Sequence, residues 1–118
     1  MKKIFPYILA LPMLAGGIAH VVMPEAYQPM IPSFIPPMLA NILAAIAELV
    51  VGVALILPKY RRMGGLLFML LMIAFLPLHV WDLFRENPAI GDPPAPAIRV
   101  GVQFLLIYAG WWVYRNYD

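Results

Sequence analysis

The chain of 118 residues contains no cysteine, no threonine and a single serine, Ser33. Without cysteine there is no disulfide framework, no thiolate nucleophile, no C-x-x-C redox pair and no thiolate metal site. Any thiol chemistry must belong to a partner. Ser33 lies in a proline-rich stretch, and this hydroxyl inventory argues against a Ser/His/Asp hydrolase. Phosphate-cradling loops are missing too, because Gly16-Gly17 and Gly64-Gly65 lie within apolar runs and neither leads into a Lys-Ser/Thr pair. Charge is scarce: 12% of residues are charged, against about 25% in soluble domains. The net charge of +2 comes from basic residues at segment ends rather than on one face, which fits anchoring at a membrane surface and excludes a nucleic-acid role.

What fills the chain instead is hydrocarbon. With 64% apolar residues and a mean hydropathy of +0.84, it reads as one small membrane domain. Its organising stretch is Leu39–Leu57, nineteen residues without a breaking proline and with one ionisable side chain, Glu48. That length can span a hydrocarbon core of roughly 30 Å. A carboxyl at such depth costs about 2.5 to 3.5 kcal/mol on insertion scales, so Glu48 is expected to face protein rather than lipid. At about 100° per residue, Asn41, Ala44, Ala45, Glu48 and Gly52 share one face, whose small residues allow a close neighbour.

Three further spans flank this one. Residues 4–22 follow Lys2 and Lys3 and read as a first spanning helix rather than the core of a signal peptide. Residues 63–84 carry Pro77, with His79 and Asp82 beyond it on one face; residues 98–114 place Arg99, Gln103, Gly110 and Tyr114 on one stripe, with Trp111 and Trp112 as interfacial anchors. The proline-rich segments 23–38 and 85–97 are the connecting loops; the first, too proline-rich for a regular helix and too apolar to be freely solvated, is expected to cap one end. Lys2, Lys3, Lys59, Arg61, Arg62 and Arg115 gather on one side against Arg85 and Arg99 on the other. The positive-inside rule then puts both termini in the cytoplasm, and the expected fold is an all-α, antiparallel four-helix transmembrane bundle.

Folding up that topology brings His20, His79, Asp82, Arg99 and Gln103 into one layer near the outer end, with Glu48 a few turns deeper. These six are the candidate ligand-binding or proton-relay residues. Each has a plainer reading: a histidine at a helix end is commonly just hydrogen-bonded, Arg99 can snorkel, and Asp82 can pair with Arg85 or Arg99. The whole cluster can equally be a hydrogen-bond network that specifies helix packing. A haem or metal site built from His20, Glu48, His79 and Asp82 is a weaker reading, and no metal is assigned.

Several motifs together resemble the DoxX-like family of small bacterial membrane proteins: Gly17-Ile18-Ala19-His20 with Pro24; Ile31-Pro32 and Pro36-Pro37; Glu48-Leu49 with Gly52; Leu57-Pro58 with Arg61-Arg62; Phe75 with Pro77; and Arg99 with Gln103. The chain departs from that pattern at Val21, where an aromatic residue is associated with the family, and at Leu76. The resemblance implies a multi-pass protein of the cell inner membrane. Some members are associated with quinol oxidation or thiosulfate:quinone oxidoreductase complexes and others with thiol-stress partners. The resulting expectation is a redox-associated subunit, embedded in the lipid bilayer, whose pocket takes a quinone-like molecule. Arg99 and Gln103 would hydrogen-bond a carbonyl oxygen, His20 or His79 would exchange a proton, Glu48 would relay it, and a redox partner protein would supply the electrons.

Overall fold

Backbone N–H and C=O groups in hydrocarbon must be satisfied within the segment, so long apolar runs have the helix as their solution. A computed structural model describes residues 2–118 and shows four such helices: α1 (Phe5–Val22), α2 (Pro37–Ile56), α3 (Arg61–Leu83) and α4 (Ala95–Asn116). Each is long and apolar enough to cross a membrane. At 1.5 Å per residue, lengths of 18 to 23 residues correspond to about 27 to 35 Å.

Proline sets where three helices begin. Pro6, Pro37 and Pro96 occupy the first or second helical position of α1, α2 and α4, where a missing N–H costs nothing. For that reason α2 starts two residues, and α4 three residues, before the boundaries expected from hydrophobicity alone. Pro12 and Pro77 lie inside α1 and α3, which remain helical through them. The far end of α2 is closed by Arg61, whose Nε and Nη2 donate to the carbonyl oxygens of Leu55 and Ile56 at 2.8 and 2.6 Å. Those carbonyls have no intrahelical partner, and a guanidinium is well suited to both.

The helices run antiparallel, with both chain termini at one end. The Tyr117 hydroxyl donates to the Lys2 carbonyl oxygen, and the Arg61 guanidinium lies 5.2 Å from the Tyr7 ring and 6.0 Å from the Tyr117 ring. This gathers the start of α1, the start of α3 and the end of α4. At the opposite end His20 of α1 meets Asn41 of α2, and Arg85 beyond α3 reaches the loop after α1. The tightest packing is α1 on α2 and α3 on α4, and α2 joins the two pairs through α3. Gly65 and Gly110 make the second close approach possible: a Cβ on Gly65 would stand 2.8 Å from the Gly110 carbonyl oxygen, and one on Gly110 would stand 2.7 Å from the Met69 nitrogen.

Leu9, Ala10, Met13, Val51, Leu55, Phe68, Met72 and Val113 form the core. Outward faces stay apolar, with Leu11, Val22 and Leu105 all about two-thirds exposed (70%, 69% and 68%), as befits helices able to cross a membrane. The loop after α1 is more regular than its prolines suggested. Pro24–Met30 forms a 3-10 helix, which lies against α1 and α2 and is reached by Arg85 from beyond α3.

Candidate functional site

Four polar side chains are buried among the described residues: Asn41, Glu48, Asp82 and Gln103. They belong to three separate arrangements at the end opposite the termini.

The first joins α1 to α2. Glu48 faces α1, and the missing side chain of Gly16 makes room for its carboxylate, since a Cβ there would overlap Oε1. Its other oxygen, Oε2, lies 2.8 Å from His20 Nε2. The second ring nitrogen, Nδ1, is 2.7 Å from Asn41 Oδ1. Asn41 Nδ2 donates to the carbonyl oxygens of Pro37 at 3.0 Å and Pro24 at 3.4 Å, which orients the amide with Oδ1 toward the imidazole. An amide oxygen can only accept, so His20 Nδ1 carries a proton. The short Nε2–Oε2 contact then holds one more proton, on Nε2 in an ion pair or on Oε2 in a neutral pair. Tyr27 of the 3-10 helix stacks on the imidazole, ring centroids 3.7 Å apart and planes at 21°. Burial, and next the Glu48 charge, push the Tyr27 phenol above its usual range. Beside this network is a hollow of about 470 Å³ bounded by His20, Pro24, Gln28, Pro37, Met38 and Asn41.

The second arrangement joins α3 to α4. Gln103 Nε2 donates to the Met72 carbonyl oxygen at 2.7 Å, and Arg99 Nη1 donates to Gln103 Oε1 at 2.8 Å. Arg99 pairs with no carboxylate among the described residues. His79 Nδ1 is buried without a hydrogen-bond partner.

The third is a clamp on the loop after α3. Asp82, wholly buried, accepts the backbone N–H groups of Ala89 at 2.7 Å and Ile90 at 3.2 Å, and Arg85 Nη1 at 3.2 Å. Arg85 Nη1 also donates to the Pro29 carbonyl oxygen at 2.6 Å, and its guanidinium covers the Trp81 ring at 4.3 Å. One cation thus ties the two loops together.

This geometry corrects the single-layer expectation. His20 and Glu48 come into direct contact, without the separation in depth expected of a relay. Arg99 and Gln103 meet each other, and Arg99 is not the cation that holds Asp82 or Glu48; Arg85 holds Asp82. The donor capacity of Gln103 is committed in part to the α3 backbone, which weakens its case as a ligand donor. No group of three His, Asp or Glu side chains among the described residues is placed to hold a metal ion, so the His20, Glu48, His79 and Asp82 set does not form a metal centre. Asn41, Tyr27 and Arg85 were not among the candidates. Asn41 carried a readable signal, standing two turns before Glu48 on the same helical face.

Fold and site together define a class: a small all-helical protein with four helices able to cross a membrane, and a buried His–Glu–Asn network between the first two. Within it, the chain belongs to the family described as Domain of unknown function (DUF8561), whose model matches residues 9–114 and so spans all three arrangements. No curated protein and no solved structure matches the chain.

Proposed function

We propose that the protein is a redox-associated subunit of DoxX type in the cell inner membrane, with both termini cytoplasmic. In this reading its His20–Glu48 pair exchanges a proton with a quinone-like molecule in the adjoining hollow. The observation that carries it is the fixed tautomer: Asn41 commits the Nδ1 proton of His20, so the proton in the 2.8 Å Nε2–Oε2 contact is the mobile one. A histidine and a carboxylate that share a proton can pass it to a carbonyl oxygen as that oxygen is reduced, and recover it from water at the loop end. The two electrons come from a redox partner protein, because the chain has no thiol, and the second proton that the quinol needs comes from water at the loop end. The hollow, at about 470 Å³, is of the size that small ligands occupy, roughly 300 to 1,000 Å³. The charge asymmetry of the ends supports the orientation.

A scaffold reading has its own observation. The polar atoms of Asn41 and both ring nitrogens of His20 already have partners, as expected of a network whose task is to hold α1 against α2. Binding of a short-tailed quinone to the protein in lipid nanodiscs separates the two. The ligand reading expects saturable binding near one per chain, weakened about tenfold or more by Glu48→Gln, as for loss of a hydrogen bond to a charged group. Absence of binding to the wild type, or a Glu48→Gln variant that binds normally but unfolds more easily, would leave the scaffold.

A further inference from the structure

At the end holding the termini, α1 and α4 touch through Phe5 and Trp112, whose rings meet edge to face with centroids 5.3 Å apart. Taken over their whole lengths they pack far less than the other neighbouring pairs. The result is a groove of about 510 Å³ walled by Phe5, Leu9, Leu105, Tyr108, Ala109 and Trp112, facing where lipid tails would be. It is almost wholly hydrocarbon, and it is remote from the His20 network.

Two cations stand one aromatic ring removed from the wall residues Trp112 and Tyr108. On one side Lys2 Nζ lies 5.2 Å from the Tyr117 ring, which in turn meets Trp112 at 6.0 Å. On the other, the Arg115 guanidinium lies 5.6 Å from the Trp111 ring, which meets Tyr108 at 5.8 Å. Both cations are exposed, and neither forms an ion pair among the described residues. This end of the chain carries Lys2, Lys3, Lys59, Arg61, Arg62 and Arg115 against the acidic side chain of Asp118.

We propose that this groove binds an anionic glycerophospholipid, one acyl chain lying between α1 and α4 and the phosphate meeting Lys2 and Arg115. The wall composition favours a flexible chain over a second copy of the protein. Helix pairs in lipid associate through small residues that permit close approach, whereas large side chains, two of them aromatic rings on α4, line the concavity here. The two flanking cations select the headgroup, since each Lys or Arg near a membrane surface favours anionic lipid. Aromatic rings beneath those cations hold them at headgroup level.

The test uses the full chain in a mild detergent, with native mass spectrometry of lipids retained. Phosphatidylglycerol and phosphatidylcholine bearing identical acyl chains are offered in competition, and glycerophosphate is offered alone. The expected result is one tightly held phosphatidylglycerol with a preference on the order of thirtyfold, as two near-surface cations confer. Lys2→Gln with Arg115→Gln should abolish that preference while leaving chain binding. Ala109→Phe, which fills the groove, should release both lipids; unfolding of each variant near the wild-type temperature shows that the bundle is intact, and Leu105→Trp fills the groove from an exposed position should Ala109→Phe unfold. Equal retention of the two lipids, an unchanged preference in the double variant, or displacement by glycerophosphate alone would overturn the proposal. So would a dimer whose Leu105 side chains crosslink when replaced by cysteine.

Discussion

Asp82→Ala should be the most damaging polar substitution at the loop end. The carboxylate is wholly buried and accepts three hydrogen bonds, from the Ala89 and Ile90 backbone and from Arg85. Hydrogen bonds to a charged group contribute about 1.5 to 3 kcal/mol each. Three would sum to more than is expected here, because Arg85 is partly exposed and water can reach a freed loop. The cost of removing one partner of a buried pair, about 3 to 5 kcal/mol, is the better figure. Asp82→Asn keeps one accepting oxygen for the Ala89 N–H at 2.7 Å and presents an amide N–H to Ile90, so about half that loss is expected. Arg99→Ala removes one hydrogen bond, to Gln103, and should cost only about 1 to 2 kcal/mol. Reversible denaturation of the variants in one detergent measures the order, and hydrogen exchange at residues 86–90 shows whether the loop has come free. An Asp82→Ala protein as stable as the wild type, or an Arg99→Ala protein less stable than Asp82→Ala, would refute the loop-clamp assignment.

Gly16→Ala places a methyl group on Glu48 Oε1 and should cost about 1 to 3 kcal/mol, the usual range for overpacking; combined with Glu48→Ala the loss should be less than additive in a double-mutant cycle. Arg61→Ala uncovers the Leu55 and Ile56 carbonyls and should cost about 1 to 3 kcal/mol, with faster hydrogen exchange in the last turn of α2. The Tyr27 phenol is raised above 10.0 by burial and then by Glu48, so the fold favours its neutral form. Its effect on stability is absent below the ordinary tyrosine range and appears as a loss as pH rises above it. Unfolding followed against alkaline pH should therefore show a decline that Tyr27→Phe reduces, and an unchanged decline would remove Tyr27 from the network.

The four helices were legible because hydropathy reports a one-dimensional property: twenty apolar residues in lipid have few alternatives. The starts of α2 and α4 were placed late because a window of hydrophobicity undervalues proline at the first turn, as Pro37 and Pro96 show. The site was legible in part. Burial of Glu48 follows from the cost of a carboxyl in hydrocarbon, and its partner at the end of α1 had to be a nearby polar group. What sequence could not supply was helix rotation. The six candidates share one end of the bundle, but α1–α2 and α3–α4 each turn their polar side chains into their own interface, so Glu48 meets His20 and Gln103 meets Met72. Asp82 takes Arg85, one of the two partners the sequence offered it, and also organises backbone N–H groups seven and eight residues ahead, a local geometry that no periodicity encodes. Asn41 was visible on the right face but has no charge to draw attention.

The proton between His20 and Glu48 can be watched directly by solid-state nitrogen NMR of histidine-labelled protein in bilayers, recorded with and without a short-tailed quinol. The account predicts that His20 Nδ1 stays protonated in both states, held by Asn41, while the Nε2 resonance moves on addition of the ligand and stops responding in Glu48→Gln. An unprotonated Nδ1, or an Nε2 signal indifferent to the quinol, would contradict it.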